Sequence, residues 1–190
     1  MVRGRWRPAR WVVSHLFAVA GFLLLVPALT GLLRETEGRR FAVAAVASSR
    51  LGVGLVLPYY GAETFGLRVI AQRAVRDGDP ALLELAENVR YGSVQASMFL
   101  AGRVLLAVGT ILAAVAIWRS GWTPRWAGVP LAAGFALFLP QFYGAPWLRI
   151  GHGLLIAAGC LLLAVLRWRH RPVASRPQGS TLIVSQAMAS

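Results

Sequence analysis

Lysine is absent from this 190-residue chain, whose 20 basic side chains are all arginine. Acids number only 7, and charged residues make up 14% of the chain. Soluble domains carry about 25%, so the deficit excludes an ordinary water-facing surface. The all-arginine usage reads first as coding bias in a GC-rich genome and only second as chemistry. A single cysteine, Cys160, excludes an internal disulfide and every paired-cysteine metal or redox motif. It lies in the apolar run 153–166 and is predicted to be a buried small hydrophobe. The chain also lacks a phosphate-binding loop, an H-E-x-x-H zinc helix and a G-x-S-x-G elbow. No repeat relates its two halves, which weighs against an inverted-repeat transporter.

What is there is apolar. Hydrophobic residues make up 57% of the chain, and mean hydropathy is +0.59. A helix needs about 20 apolar residues to cross hydrocarbon. The runs therefore predict an all-α, polytopic transmembrane helical bundle, one domain over 1–168. Its five apolar segments are 11–33, 41–60, 92–118, 126–142 and 147–168. The first follows basic residues but is long for a cleaved signal and has no small-residue cleavage site, so it is expected to be retained as an anchor. Pro58 is expected to stop or kink the second, with helix resuming over 64–76. Asp77-Gly78-Asp79-Pro80 is the clearest turn signal, and an amphipathic interfacial helix is predicted over 80–91. The fourth segment contains Pro130 and Pro140 and sits at the lower length limit for a span. It reads as the fourth of five spans, with a re-entrant segment as the alternative. Residues 169–190 form a basic tail expected to be disordered.

The tryptophans agree with this map. Trp6, Trp11, Trp118, Trp122, Trp126, Trp147 and Trp168 all fall at the ends of proposed spans, as an interfacial aromatic belt requires. A formal net charge of +13 would suggest nucleic acid in a soluble protein. Here the arginines cluster at helix ends, where they set orientation and meet anionic headgroups. Membrane lipids are the expected partners, joined by a membrane protein or a second copy of the chain; nucleic acid is not. Five spans divide the arginines outside the membrane evenly, whereas a re-entrant fourth segment puts most of them on the amino-terminal side.

Two arginines break the pattern. Arg50 and Arg103 sit near the middles of the second and third runs. A cation at the bilayer centre costs roughly 2.5–3.5 kcal/mol on insertion scales, so it normally meets a partner, a cavity or a ligand. A structural reading pairs Arg103 with Glu63, the nearest acid. A functional reading makes Arg50, Arg103 and Tyr59 a cationic ligand-binding site for a headgroup, phosphate or carboxylate. Should the chain be an enzyme, Glu63, Tyr60 and His152 are its acid–base candidates. His15 and His152 could flank a haem if both entered the membrane from one side, but no supporting motif accompanies them. No cofactor and no metal site is expected. Glycines recur within the runs at 52, 54, 102, 109, 151, 153 and 159, where small residues let helices pack closely in lipid.

Ile117-Trp118-Arg119-Ser120-Gly121, Pro124-Arg125-Trp126-Ala127-Gly128, Leu139-Pro140-Gln141-Phe142 and Ile150-Gly151-His152-Gly153 resemble small bacterial multispanning proteins grouped under domains of unknown function. The resemblance covers 117–163 and implies a helical bundle in the bacterial cytoplasmic membrane. It transfers no activity and no catalytic residue. Two function classes follow. One is a membrane component that binds a lipid or a partner through an intramembrane cationic site. The other is a small intramembrane enzyme using acid–base catalysis on a hydrophobic, anionic or neutral substrate. The first is favoured because the polar residues are few and scattered. An enzyme should gather at least two of Glu63, Tyr60, His152, Arg50 and Arg103 around one cavity.

Overall fold

Hydrocarbon offers no hydrogen bonds to the backbone, so a chain this apolar satisfies its own peptide groups by coiling. The computed structural model describes residues 6–34 and 36–170, and among these there are helices and turns but no strand. The predicted basic tail beyond His170 lies outside them. The helices are α1 (Trp6–Leu33), α2 (Arg39–Gly61), α3 (Arg68–Asp77), α4 (Ala81–Tyr91), α5 (Ser93–Ser120), α6 (Val129–Ala136) and α7 (Pro146–Arg169). Four stretches are long and apolar enough to cross a membrane: Arg10–Leu33, Arg39–Asp77, Ser93–Ser120 and Pro146–Arg169.

The second of these corrects the expected break at Pro58. A π-helical turn, Ala62–Leu67, joins α2 to α3 in one uninterrupted helix. Pro58 is exposed on the helix surface, where its ring is accommodated and its missing N–H forgoes one intrahelical bond, to the Gly54 carbonyl. The wide turn instead sets Glu63, Thr64 and Leu67 on its buried side, and the Thr64 hydroxyl donates to the Tyr60 carbonyl at 2.6 Å. α3 ends where the turn signal predicts. Gly78 takes a left-handed φ of 64°, which only glycine adopts without strain, and the Asp79 carboxylate accepts the Ala81 N–H at 3.0 Å. The chain then folds back as α4.

At the centre, α2 and α5 cross so closely that backbone meets backbone. Gly52 faces Gly102, Gly109 faces Ser49, and the Ser48 hydroxyl donates to the Leu105 carbonyl at 2.7 Å. α1 lays its stripe of Phe22, Leu25, Leu29 and Leu33 on the same core. Its helix-end tryptophan Trp11, together with Trp118, Trp126, Trp147 and Trp168, is exposed as a belt requires.

The fourth apolar run is not one long helix. It consists of a 3-10 turn (Arg125–Gly128), α6, and a second 3-10 turn (Pro140–Tyr143), because Pro130 and Pro140 each restart the coil. With about 1.5 Å per residue, α6 is about 12 Å long, against a hydrocarbon thickness of about 30 Å. The run nonetheless travels back along α5: Gly128 lies against Ala114, and the Phe138 ring lies 6.5 Å from that of Phe99. α7 returns antiparallel to α6, with Gly159 against Leu131, and so runs parallel to α5. Trp122 and His170 meet at the shared end, their rings 5.8 Å apart. α7 buries only a narrow strip at Gly159 and Leu163, which leaves Cys160 exposed where a buried side chain was expected.

Candidate functional site

Arg103 occupies the interior of the bundle. It is 3% exposed, because α5 presents it to the junction of α1, α2 and the return segment after α6. Four aromatic rings surround its guanidinium. The Phe138 centroid lies 3.0 Å from Cζ, that of Phe22 5.0 Å, that of Phe99 5.3 Å and that of Tyr60 5.9 Å. The electron-rich faces substitute for a counter-ion. One hydrogen bond joins them: Arg103 Nη2 donates to the Tyr60 hydroxyl at 3.2 Å, while Nε and Nη1 are buried with no acceptor among the described residues. The expected Glu63–Arg103 pair is not formed.

Glu63 is taken elsewhere. Arg90, on α4, grips it with both arms of the guanidinium, Nε to Oε1 at 2.7 Å and Nη2 to Oε2 at 2.8 Å. The planar fork of arginine suits a carboxylate in this way. The hydrogen bond to Glu63 raises the Arg90 pKa well above the ordinary arginine value, against the opposing effect of burial. Sequence reading missed Arg90 as the partner. The signal was present, because the turn at 77–80 folds α4 back so that residue 90 returns towards residue 63. Tyr59 lines the same small recess of about 100 Å³, together with Pro58, Gln95 and Met98. Each oxygen of Glu63 already accepts an N–H from Arg90, so the carboxylate at this recess is held as one half of an ion pair.

The remaining candidates are apart from each other. His152 donates from Nε2 to the Gly134 carbonyl at 2.7 Å, and its ring leans on Phe138 at 5.6 Å. The neighbouring Gly151 and Gly153 face open space. His15 donates from Nδ1 to the Trp11 carbonyl at 2.9 Å and stacks towards Tyr60 at 5.8 Å. The Tyr60–Arg103–Phe138 chain thus stands between the two histidines. Arg50 points out of the bundle from α2, exposed, with no hydrogen bond or ion pair among the described residues. Arg50 and Arg103 therefore do not share a site. A recess of about 530 Å³ between α5 and α6 is lined by Ile111, Ala114, Val115, Trp118, Val129 and alanines of α6, and its wall is almost wholly apolar.

The cage makes a testable claim about where its energy lies. Tyr60→Phe removes the one hydrogen bond of a buried guanidinium and is expected to cost about 1–3 kcal/mol. Arg103→Met removes the charge itself, and is expected to cost under about 1.5 kcal/mol or to stabilise, since desolvation is relieved as the bulk is kept. Thermal unfolding in mild detergent reads both. A milder effect for Tyr60→Phe than for Arg103→Met contradicts this account.

The likeness over 117–163 rests on the quoted residues alone: the chain matches no family model, no curated protein and no solved structure.

Proposed function

We propose that this chain is a non-catalytic, multi-pass component of a bacterial cytoplasmic membrane that works by binding a lipid or a protein partner. The observation that carries the reading is the disposal of the polar groups. Glu63 is held by Arg90, Arg103 by Tyr60 and three phenylalanine rings, and His152 by a backbone carbonyl. Catalytic groups act together on one substrate, whereas Glu63, Tyr60 and His152 are each held by a different protein group and do not meet one another. Arg50 is the exception, exposed halfway along α2. An intramembrane cation left open on the surface suits a contact rather than a reaction.

The parallel course of α5 and α7 supports a fourth pass made by 125–143. Two neighbouring helices that cross in the same direction need a return crossing between them, and the broken run lies along α5 for much of its length. α6 and the turn residues Ala127 and Gly128 pack against α5 and α7, which shields that part of the run from lipid, whereas the 3-10 turn Pro140–Tyr143 buries no residue.

Native mass spectrometry of gently extracted protein tests the non-catalytic reading. Glu63→Gln, Tyr60→Phe and His152→Ala are expected to retain the adducts of the wild type, whereas Arg50→Ala loses or changes them. A bound small molecule lost from the Glu63, Tyr60 or His152 variants would restore the enzyme reading.

A further inference from the structure

Arg50 defines a face of α2 that none of the described residues covers. Val43, Ala47, Arg50, Gly54 and Pro58 recur at helical spacing, and all are exposed. The opposite face, with Ala45, Ser49, Gly52 and Val56, is spent on the core. Ala47 and Gly54 lie about one turn on either side of Arg50, and a Cβ at Gly54 would meet nothing within 4 Å. A neighbouring helix could thus approach the backbone closely.

The depth of Arg50 decides what that neighbour carries. Ser48 reaches Leu105 and Gly52 touches Leu106, so Arg50 lies level with the middle of α5, Ser93–Ser120. With a hydrocarbon core of about 30 Å centred on α5, either edge is about 15 Å away, farther than an extended arginine side chain reaches. Snorkelling to an interface is therefore closed to it. A lipid phosphate is excluded for the same reason, since headgroups lie outside a hydrocarbon core of about 30 Å. A second copy of the chain brings another Arg50. Between the ends of the four long described helices the sole acid is Glu63, already held by Arg90. A carboxylate at mid-membrane depth would satisfy Arg50, and the long described helices hold no unpaired one between their ends.

We infer that the Arg50 face of α2 docks a transmembrane helix of another protein, one carrying an aspartate or glutamate near its middle. The inference rests on the partner-binding reading and narrows it. The pair would form a charge-assisted hydrogen bond in a low-dielectric setting, with Ala47 and Gly54 letting the two backbones close around it.

The test uses the full chain, dye-labelled, in phosphatidylcholine vesicles with a single-span Leu–Ala peptide carrying a central Asp or a central Leu. Energy transfer is expected to show at least tenfold tighter association with the Asp peptide. Arg50→Leu, checked for unchanged helix content and thermal midpoint, should abolish that preference. Arg50→Glu should transfer it to a peptide with a central Lys. The inference is overturned if wild type shows no Asp preference, if Arg50→Leu keeps it, or if unlabelled chain displaces the Asp peptide by self-association. A photo-crosslinker at Ala47 in native membranes separates the two levels. Discrete protein adducts without an Asp preference would remove the carboxylate and leave partner binding. Lipid adducts alone, again without the preference, would remove both.

Discussion

Gly52→Val is expected to lower stability by about 3 kcal/mol, the upper end of overpacking costs. A Cβ at Gly52 would stand 2.8 Å from the Gly102 carbonyl oxygen and 2.9 Å from the Leu106 nitrogen. Both are backbone atoms of α5, so no rotamer change relieves the clash, and the helices must separate. Separation also pulls Ser48 from Leu105 and opens the core around Val56 and Leu106, both fully buried. The reciprocal change, Gly102→Val, meets Val56 Cγ2 at 2.7 Å and the Gly52 carbonyl at 2.9 Å and should behave alike. Gly54→Val is the control: two residues away, with nothing in reach, it should leave the thermal midpoint nearly unchanged. Circular dichroism during heating in detergent compares the three. Equal effects at positions 52 and 54 would mean that α2 and α5 do not pack as described.

Arg90→Ala is expected to be the most damaging change at a polar position, at about 2–4 kcal/mol. Breaking a buried ion pair from one side costs about 3–5 kcal/mol because the other charge is stranded. The lower figure allows for the partial exposure of Arg90, whose side chain is 36% accessible while that of Glu63 is 10% accessible. Glu63→Leu combined with Arg90→Ala should recover most of the loss, because no unpaired charge then remains. A double variant no better than Arg90→Ala would refute this origin of the cost. The pH dependence has a definite sign on the arginine side. A base whose folded pKa is raised contributes stability in full below its unfolded value, and loses it only as pH rises through the folded one. Burial notwithstanding, the Glu63 hydrogen bond moves that loss above the ordinary arginine range. Alkaline titration of Arg90 therefore leaves the pair intact at any pH at which the protein is handled.

Hydropathy and punctuation carried much of the architecture. The Asp77–Pro80 turn, the amphipathic helix ending at Tyr91 and the tryptophans at helix ends are local features. A glycine at left-handed φ or an indole at an interface needs no distant partner to be recognised. Pro58 shows where local reading stops, since a proline that breaks a soluble helix is carried within an apolar one when its ring faces outward. The fourth run shows the same limit. Its hydrophobicity was evident, but whether Pro130 and Pro140 interrupt a span depends on α5 and α7 enclosing it. Among the polar groups, local reading marked Arg103 and Glu63 as needing partners and joined them wrongly. Phe22, Phe99 and Phe138 looked like ordinary apolar residues, and only their convergence from three segments made them a cage.

By itself the sequence determined that this chain is helical and has stretches of membrane-crossing length, because backbone hydrogen bonding in an apolar chain admits little else. It also determined that its few interior charges must each be answered. The tertiary structure alone decided how. Which guanidinium meets a carboxylate, which meets aromatic faces, and which faces outward depends on the rotation of α2 and α5 about their glycine contact. That rotation is set by packing across residues separated by about fifty positions, a distance at which no periodicity in the sequence reports.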